Sequence, residues 1–287
     1  MTNPARGTRI GFHASITGGL HQAVLSAKNL NCQTVQIFSR NPRGWQAKPL
    51  SEEDIRQFKA TRRLTKISPV VIHANYLINL STADPLMLAK SRASFREELQ
   101  RGLTLGADYL VVHPGSARGR SEAEAIATCA ESLKVTTRDL DLGKFRILLE
   151  NTAGQGDCIG HRFEHLRDLQ DSCVDIRLGV CLDTAHTFTA GYDIREEEGL
   201  EATMQVVKRT VGARNIRVVH FNDSRAVYNS RVDRHWHIGQ GHIGSEALHR
   251  VARHPQLRQA AFILETPIDP PEDHVRNVEM LRSFVEC

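Results

Sequence analysis

Six apolar runs in this sequence end on a residue that can bind a metal ion or move a proton. Val70-Val71-Ile72 ends on His73, Leu110-Val111-Val112 on His113, and Ile147-Leu148-Leu149 on Glu150. The run from Leu178 to Leu182 ends on Asp183, Val218-Val219 on His220, and Phe262-Ile263-Leu264 on Glu265. His186 follows Asp183 by three positions, and Asp233 and His235 stand two apart, a spacing that lets both chelate one ion. Singly, a polar residue at a strand end is most simply a cap for the next helix. Nine at matching positions are not explained that way, because carboxylates gathered in one place repel each other unless cations neutralise them. Nine ligands exceed the roughly four that one zinc takes. With one carboxylate shared between ions they suit a cluster. Mixed His and carboxylate donors without Cys favour Zn²⁺ or Mn²⁺ in a hydrolytic site over structural zinc. Such clusters clamp a phosphoryl group, activate water and stabilise the leaving oxygen, so phosphodiester hydrolysis is the reaction class these residues favour.

Ligands this far apart in sequence need a frame that brings them together. Arg9-Ile10-Gly11-Phe12 and Thr34-Val35-Gln36-Ile37-Phe38 add two strand-like runs, making eight. Helical spacing of apolar residues fills the intervals at 17–31, 51–64, 85–105, 121–139, 161–171, 196–211, 245–253 and 271–285. The second of these opens with Ser51-Glu52-Glu53-Asp54, a helix-capping signature. Eight strands in 287 residues is 287/8, about 36 residues per unit, the spacing of a (β/α)₈ TIM barrel. In that fold every strand C-terminus opens on one mouth, which would gather the nine ligands there. Long loops at 39–50, 74–83 and 222–244 would rise around the mouth as walls of a groove. An open doubly wound sheet is disfavoured, as no Gly-x-Gly-x-x-Gly turn follows the first strand. No Gly/Ser linker or shift in composition divides the chain, so residues 1–287 are read as a single domain.

Composition narrows the setting. Charged residues make up 24%, and the net charge of +4 permits an anionic partner without demanding one. The six Cys show no C-x-x-C and no regular spacing, which predicts reduced thiols rather than a disulfide frame. The N-terminal stretch has no apolar leader and no run is long enough to span a membrane, so a cytoplasmic protein is expected. Among the remaining histidines, His13 ends the first strand and should face the same mouth. His21, His161, His165, His249, His254 and His274 are expected on the surface, and His237 and His242 are left unassigned.

With these motifs in hand, the sequence closely resembles the endonuclease IV family of apurinic/apyrimidinic endonucleases, nearly end to end. The resemblance is carried by Gly11-Phe12-His13-Ala14-Ser15 with Gly18-Gly19, by His73-Ala74-Asn75-Tyr76-Leu77-Ile78-Asn79-Leu80, and by His113-Pro114-Gly115-Ser116. It continues through Leu149-Glu150-Asn151-Thr152-Ala153-Gly154-Gln155-Gly156, Asp183-Thr184-Ala185-His186, His220-Phe221-Asn222-Asp223-Ser224 and Ser230-Arg231-Val232-Asp233-Arg234-His235. It implies a TIM barrel with three Zn²⁺ per chain, Mn²⁺ being an option for part of the set. His73, His113 and Glu150 would hold one ion. Glu150 would bridge to a second, completed by Asp183, His220 and Glu265, and His186, Asp233 and His235 would hold the third. The implied partner is double-stranded DNA with an abasic site, acted on by a monomer. It would be cut 5′ to the lesion to leave a 3′-hydroxyl and a 5′-deoxyribose phosphate, with trimming of blocked 3′ ends as a side activity. Glu150 would be catalytic as the bridging carboxylate, and Arg43, Tyr76 and Leu77 would probe the DNA, Leu77 as a wedge. Departures from the family fall in loops: Pro42, Gln240 in Gly239-Gln240-Gly241, and His242.

Two other readings are weighed. A sugar isomerase or epimerase on a related barrel needs one divalent ion, for which Glu150, Asp183, His220 and Glu265 suffice. His73, His113, His186, Asp233 and His235 then have no task. A non-catalytic DNA-lesion binder with structural zinc would have closed tetrahedral sites and no bridging carboxylate.

Overall fold

The apolar runs form eight short strands in the computed structural model, which describes residues 8–268 and 272–286. They are β1 (Arg9–Phe12), β2 (Val35–Phe38), β3 (Val70–His73), β4 (Tyr109–Val112), β5 (Arg146–Glu150), β6 (Leu178–Asp183), β7 (Ile216–His220) and β8 (Ala261–Leu264). Every pairing is parallel, from β2 through β8 in chain order, and β8 then pairs with β1. The barrel closes between β1 and β2 through one bridge, His13 with Gln36, at which the Ala14 N–H donates to the Gln36 carbonyl at 2.8 Å. The fold is therefore the expected (β/α)₈ barrel.

Strand alternation divides the apolar side chains into two layers. Val71, Val111, Leu148, Cys181, Val218 and Ile263 point inward and fill the barrel as one fully buried cluster. Their neighbours, such as Ile72, Leu110, Leu149 and Val219, point outward against the helices. Burying each such side chain contributes roughly 1.5–3 kcal/mol. Packing between α3 (Pro85–Leu105) and the barrel is close enough that a side chain on Gly102 would lie 2.7 Å from the Phe145 ring.

The helices follow the expected intervals, and their ends explain why. Ser51 accepts from the Asp54 N–H to start α2 (Glu52–Thr65), and Asp84 caps α3 ahead of Pro85. Ser121 and Glu124 form a reciprocal capping box on α4 (Glu122–Thr137). The outer layer also includes α1 (Leu20–Asn29), α5 (Phe163–Ser172), α7 (Glu197–Arg209), α8 (Ser245–Arg253) and α9 (Glu272–Glu286). The sequence reading passed over a short helix, α6 (Thr184–Thr189), which starts directly on Asp183. Two features of the expected set fall outside the described residues: residues 1–7 with their lack of an apolar leader, and the first residue of the last helix at 271. No helix among the described residues is long and apolar enough to cross a membrane.

Candidate metal centre

Parallel strands deliver their C-terminal residues to one end, and there the nine predicted side chains meet. The ligand atoms of His73, His113 and Glu150 lie within 4.8 Å of one another. The same holds for Glu150, Asp183, His220 and Glu265, and again for Asp183, His186 and His235. Asp233 joins the last group, with Oδ2 3.2 Å from His186 Nε2 and Oδ1 3.6 Å from His235 Nε2. Glu150 thus belongs to two groups, as expected, and so does Asp183, which the sequence reading gave to one. Cys181 also lies against Glu150 and His220, but burial pushes its thiol up to about 12, so it stays protonated and is a poor ligand.

Three devices aim these side chains. The first is strand register, which places His73, Glu150, Asp183 and His220 directly at strand ends. The second is α6, whose first turn carries His186, with the Asp183 carboxylate accepting from its N–H at 2.6 Å. The third is a two-stranded ribbon, Asp223–Ser224 with His235–Trp236, which folds the loop after β7 back over the mouth. Buried Asp223 anchors that loop by accepting from the N–H groups of Gly241 and Ile243 at 2.9 and 3.0 Å. Gly241 must lack a side chain there, since a Cβ would sit 2.3 Å from the Ser224 carbonyl oxygen. Gln155 holds Asp233 in place by accepting from its N–H at 2.8 Å.

Imidazole orientation follows from the hydrogen bonds on the outer nitrogens. His73 Nδ1 donates to the Ala74 carbonyl at 2.7 Å, His186 Nδ1 to that of Asn151 at 2.9 Å, and His235 Nδ1 to that of Glu265 at 3.3 Å. A carbonyl only accepts, so in each ring Nδ1 carries a proton and Nε2 is the nitrogen turned inward. The carboxylates are held too. Asn222 Nδ2 donates to Asp183 Oδ2 at 2.8 Å, while its Oδ1 accepts from the Glu265 N–H at 2.8 Å. Asn222 was missed because only the fold places it between two carboxylate strand ends.

Electrostatics marks the site as built for cations. Burial opposes ionisation of Glu150, yet His220 and His113 overcome it and hold the carboxyl well below the usual range. Burial likewise opposes Asp233 and Glu265, and His186 and His220, respectively, pull them down. In return, Asp183 and Asp233 raise His186 against its burial, and Glu150 and Glu265 raise His220 against its own. Protons on these rings occupy the place that divalent cations would take. Inward ring nitrogens, ionised buried carboxylates and overlapping ligand groups fit a metal cluster. A cavity of about 360 Å³ opens over it, lined by His113, Glu150, His186, Asp233, Glu265 and Tyr76.

Of the three residues expected to touch DNA, Arg43 is exposed and Tyr76 is 63% exposed. Their loops are joined where the Tyr76 N–H donates to the Pro42 carbonyl at 3.1 Å. Leu77 is different: it is half-buried and lines a neighbouring cavity of about 220 Å³ with His73, His113 and Arg118. Its wedge role is what the family resemblance implied, and the exposed ring beside it is Tyr76.

Three histidines expected on the surface are buried: His161, His165 and His254. Each found a polar partner that period counting does not reveal, such as Glu201 3.0 Å from His254 Nε2. His161 and His165 also approach Glu122 as a further ligand-type group. His165 Nδ1 already accepts from the Gly160 N–H at 3.1 Å, which leaves Nε2 to donate its proton to Glu122 at 3.1 Å. The Arg162 guanidinium reaches Glu122 at 3.2 Å as well, so a cation is already in place. The five described cysteines are free thiols, as expected.

Similarity to known proteins can now be set against this geometry. A family model described as a xylose isomerase-like TIM barrel matches residues 24–284. A probable endonuclease 4 of Solibacter usitatus is 46% identical over 279 residues, covering 96% of each chain. The chain belongs to the endonuclease IV family. A probable endonuclease 4 of Chloroflexus aurantiacus is 42% identical, over 97% of this chain and 98% of that one. The solved structure of endonuclease IV from Thermus thermophilus matches with a TM-score of 0.86 at 39% identity, covering 97% of this chain and 99% of that one. A D-tagatose 3-epimerase-like protein shares the fold alone, with a TM-score of 0.72 at 20% identity.

Proposed function

We propose that this endonuclease IV family member is a DNA-repair hydrolase that cuts the phosphodiester 5′ to an abasic site in duplex DNA. Glu150 and Asp183, each shared between ligand groups, are the observation that supports it. A one-ion isomerase has use for Glu150, Asp183, His220 and Glu265, and leaves His73, His113, His186, Asp233 and His235 idle. The full set suits three divalent ions, Zn²⁺ foremost, with His73, His113 and Glu150 at one, Glu150, Asp183, His220 and Glu265 at another, and His186, Asp233 and His235 at the third. Bound there, such ions would supply positive charge to a phosphoryl group and acidify water near neutral pH.

The chain's own groups do the rest. Glu150 spans two ligand groups and fixes their separation. Fully buried Glu150 and Asp183 keep the base of the site dry, which strengthens every interaction made there. Tyr76 and Arg43 stand on joined loops at the rim, where an aromatic face and a guanidinium suit a nucleotide stack and its phosphates. Extruding a nucleotide that has already lost its base costs little, which favours the lesion over intact DNA.

The test measures metal content and nicking together. Protein purified without chelator should carry about three ions per chain and should nick a duplex bearing one tetrahydrofuran abasic analogue, leaving a 3′-hydroxyl. Trimming of blocked 3′ ends is read from a second, 3′-phosphoglycolate duplex. Metal-loaded protein that leaves the abasic duplex intact while interconverting ketoses would replace this reading with the isomerase.

A further inference from the structure

We infer that Gln36 is a positioning residue of the metal centre, setting the tautomer of His220 and the orientation of Glu265. The inference rests on the metal-dependent reading above. His73, His186 and His235 are each fixed from behind by a backbone carbonyl, which the fold supplies whatever the sequence. His220 is held differently, by a side chain. Its Nε2 donates to Gln36 Oε1 at 2.8 Å. Since an amide oxygen only accepts, Nε2 carries a proton, and Nδ1 is the ring nitrogen that faces the site, 2.9 Å from Glu150 Oε1 and 3.1 Å from Glu265 Oε2, where an ion would take the place of its own proton.

The other end of the same amide holds a second ligand. Gln36 Nε2 donates to Glu265 Oε1 at 2.6 Å and lies 3.0 Å from His13 Nδ1. The reverse amide orientation would press the carbonyl oxygen against the Glu265 carboxylate, so the hydrogen-bond network fixes the orientation. Gln36 is fully buried within an otherwise apolar strand, at the bridge that closes the barrel. Without it, nothing opposes the other tautomer of His220, in which Nδ1–H donates to the Glu150 or Glu265 carboxylate. That tautomer keeps its lone pair on Nε2, turned away from the site, and offers none to an ion there.

The experiment uses the full chain loaded with zinc, comparing the parent with Gln36→Met, which keeps the volume and loses both functions of the amide. Gln36→Glu is the third arm, since it keeps an acceptor for His220. Bound metal is measured after dialysis against graded chelator, and long-range ¹H–¹⁵N spectra report the His220 tautomer. Gln36→Met should release metal at about 10–100-fold lower chelator strength, the usual cost of losing a group that orients a ligand. It should also lose the Nε2–H signature of His220, while Gln36→Glu keeps it. Gln36→Met that matches the parent in both readouts overturns the inference alone. A parent spectrum with His220 protonated on Nδ1 overturns it without any variant, should Gln36→Met not fold. A parent that retains no divalent ion overturns the metal reading, and this inference with it.

Discussion

Replacing Tyr76 by Ala separates the rim of the site from its base. The ring is 63% exposed and meets Phe38 edge-on, with centroids 5.1 Å apart at 69°. Losing that pair costs about 0.5–1.5 kcal/mol beyond area. At about 2–4 °C per kcal/mol for a chain near this size, the melting temperature should fall by no more than about 6 °C. No hydrogen bond joins the Tyr76 side chain to a proposed ligand, so bound metal should be unchanged. A stacked aromatic–base contact is worth about 1–3 kcal/mol. Loss of that contact should weaken binding to an abasic duplex by about 5–150-fold. Fluorescence anisotropy with a labelled tetrahydrofuran duplex measures the affinity, and single-turnover nicking measures the rate of cleavage once the duplex is bound. Leu77→Ala is the companion. Leu77 is half-buried, so truncation should cost about half of the 2–5 kcal/mol of a fully buried leucine and appear mainly as lost stability. Parent-like DNA affinity in Tyr76→Ala with a large loss in Leu77→Ala at unchanged melting temperature would refute the reasoning and restore Leu77 as the wedge.

Other perturbations reach the base of the site. Glu150→Gln keeps the volume and removes the charge shared by two ligand groups; nicking should fall by orders of magnitude while abasic-DNA binding persists, and near-parent turnover would show that Glu150 does not bridge. Asn222→Ala removes one hydrogen bond to a carboxylate and one to a backbone N–H, worth together about 2–4 kcal/mol; it should lower both melting temperature and metal retention, and a change in neither contradicts the clamp between Asp183 and Glu265. In chelated protein, raised His186 and His220 contribute stability that is complete below the ordinary histidine value of about 6.5 and is lost as pH rises through their folded values. Lowered Glu150 and Glu265 contribute above about 4.3 and are lost only in strong acid. Zinc needs the rings deprotonated, so the gap in melting temperature between loaded and chelated protein should widen from pH 6 to pH 9; a gap that is flat or narrows with pH contradicts proton-for-metal exchange.

Much of this was legible in the chain because a parallel barrel ties strand periodicity to ligand position. Each apolar run announced a strand, and the residue after it announced the mouth. His186 needed α6, a helix too short to show a period. The supporting residues were harder. Gln36 did carry a signal, a polar residue inside the run Val35-Gln36-Ile37-Phe38, whose meaning depends on which strands close the barrel. Asn222 and Asp223 sit in a motif quoted for the family resemblance, yet their tasks appear only once the ribbon folds back. The buried His161, His165 and His254 were misplaced for a related reason: a helix pattern gives a face, while the partner that permits burial comes from another element.

Closure of the barrel by β1 on β8 has a consequence for how the protein is made. Residues 9–12 pair with residues 261–264, so the first strand waits for nearly the whole chain before it finds its neighbour. Contacts of such sequence separation fold slowly and leave β1 and β7 as unpaired edges in a nascent chain that still lacks β8. Glu265, directly after β8, is the last of the nine to leave the ribosome. On the proposed metal reading, a growing chain therefore holds an incomplete set of ligands until Glu265 has emerged.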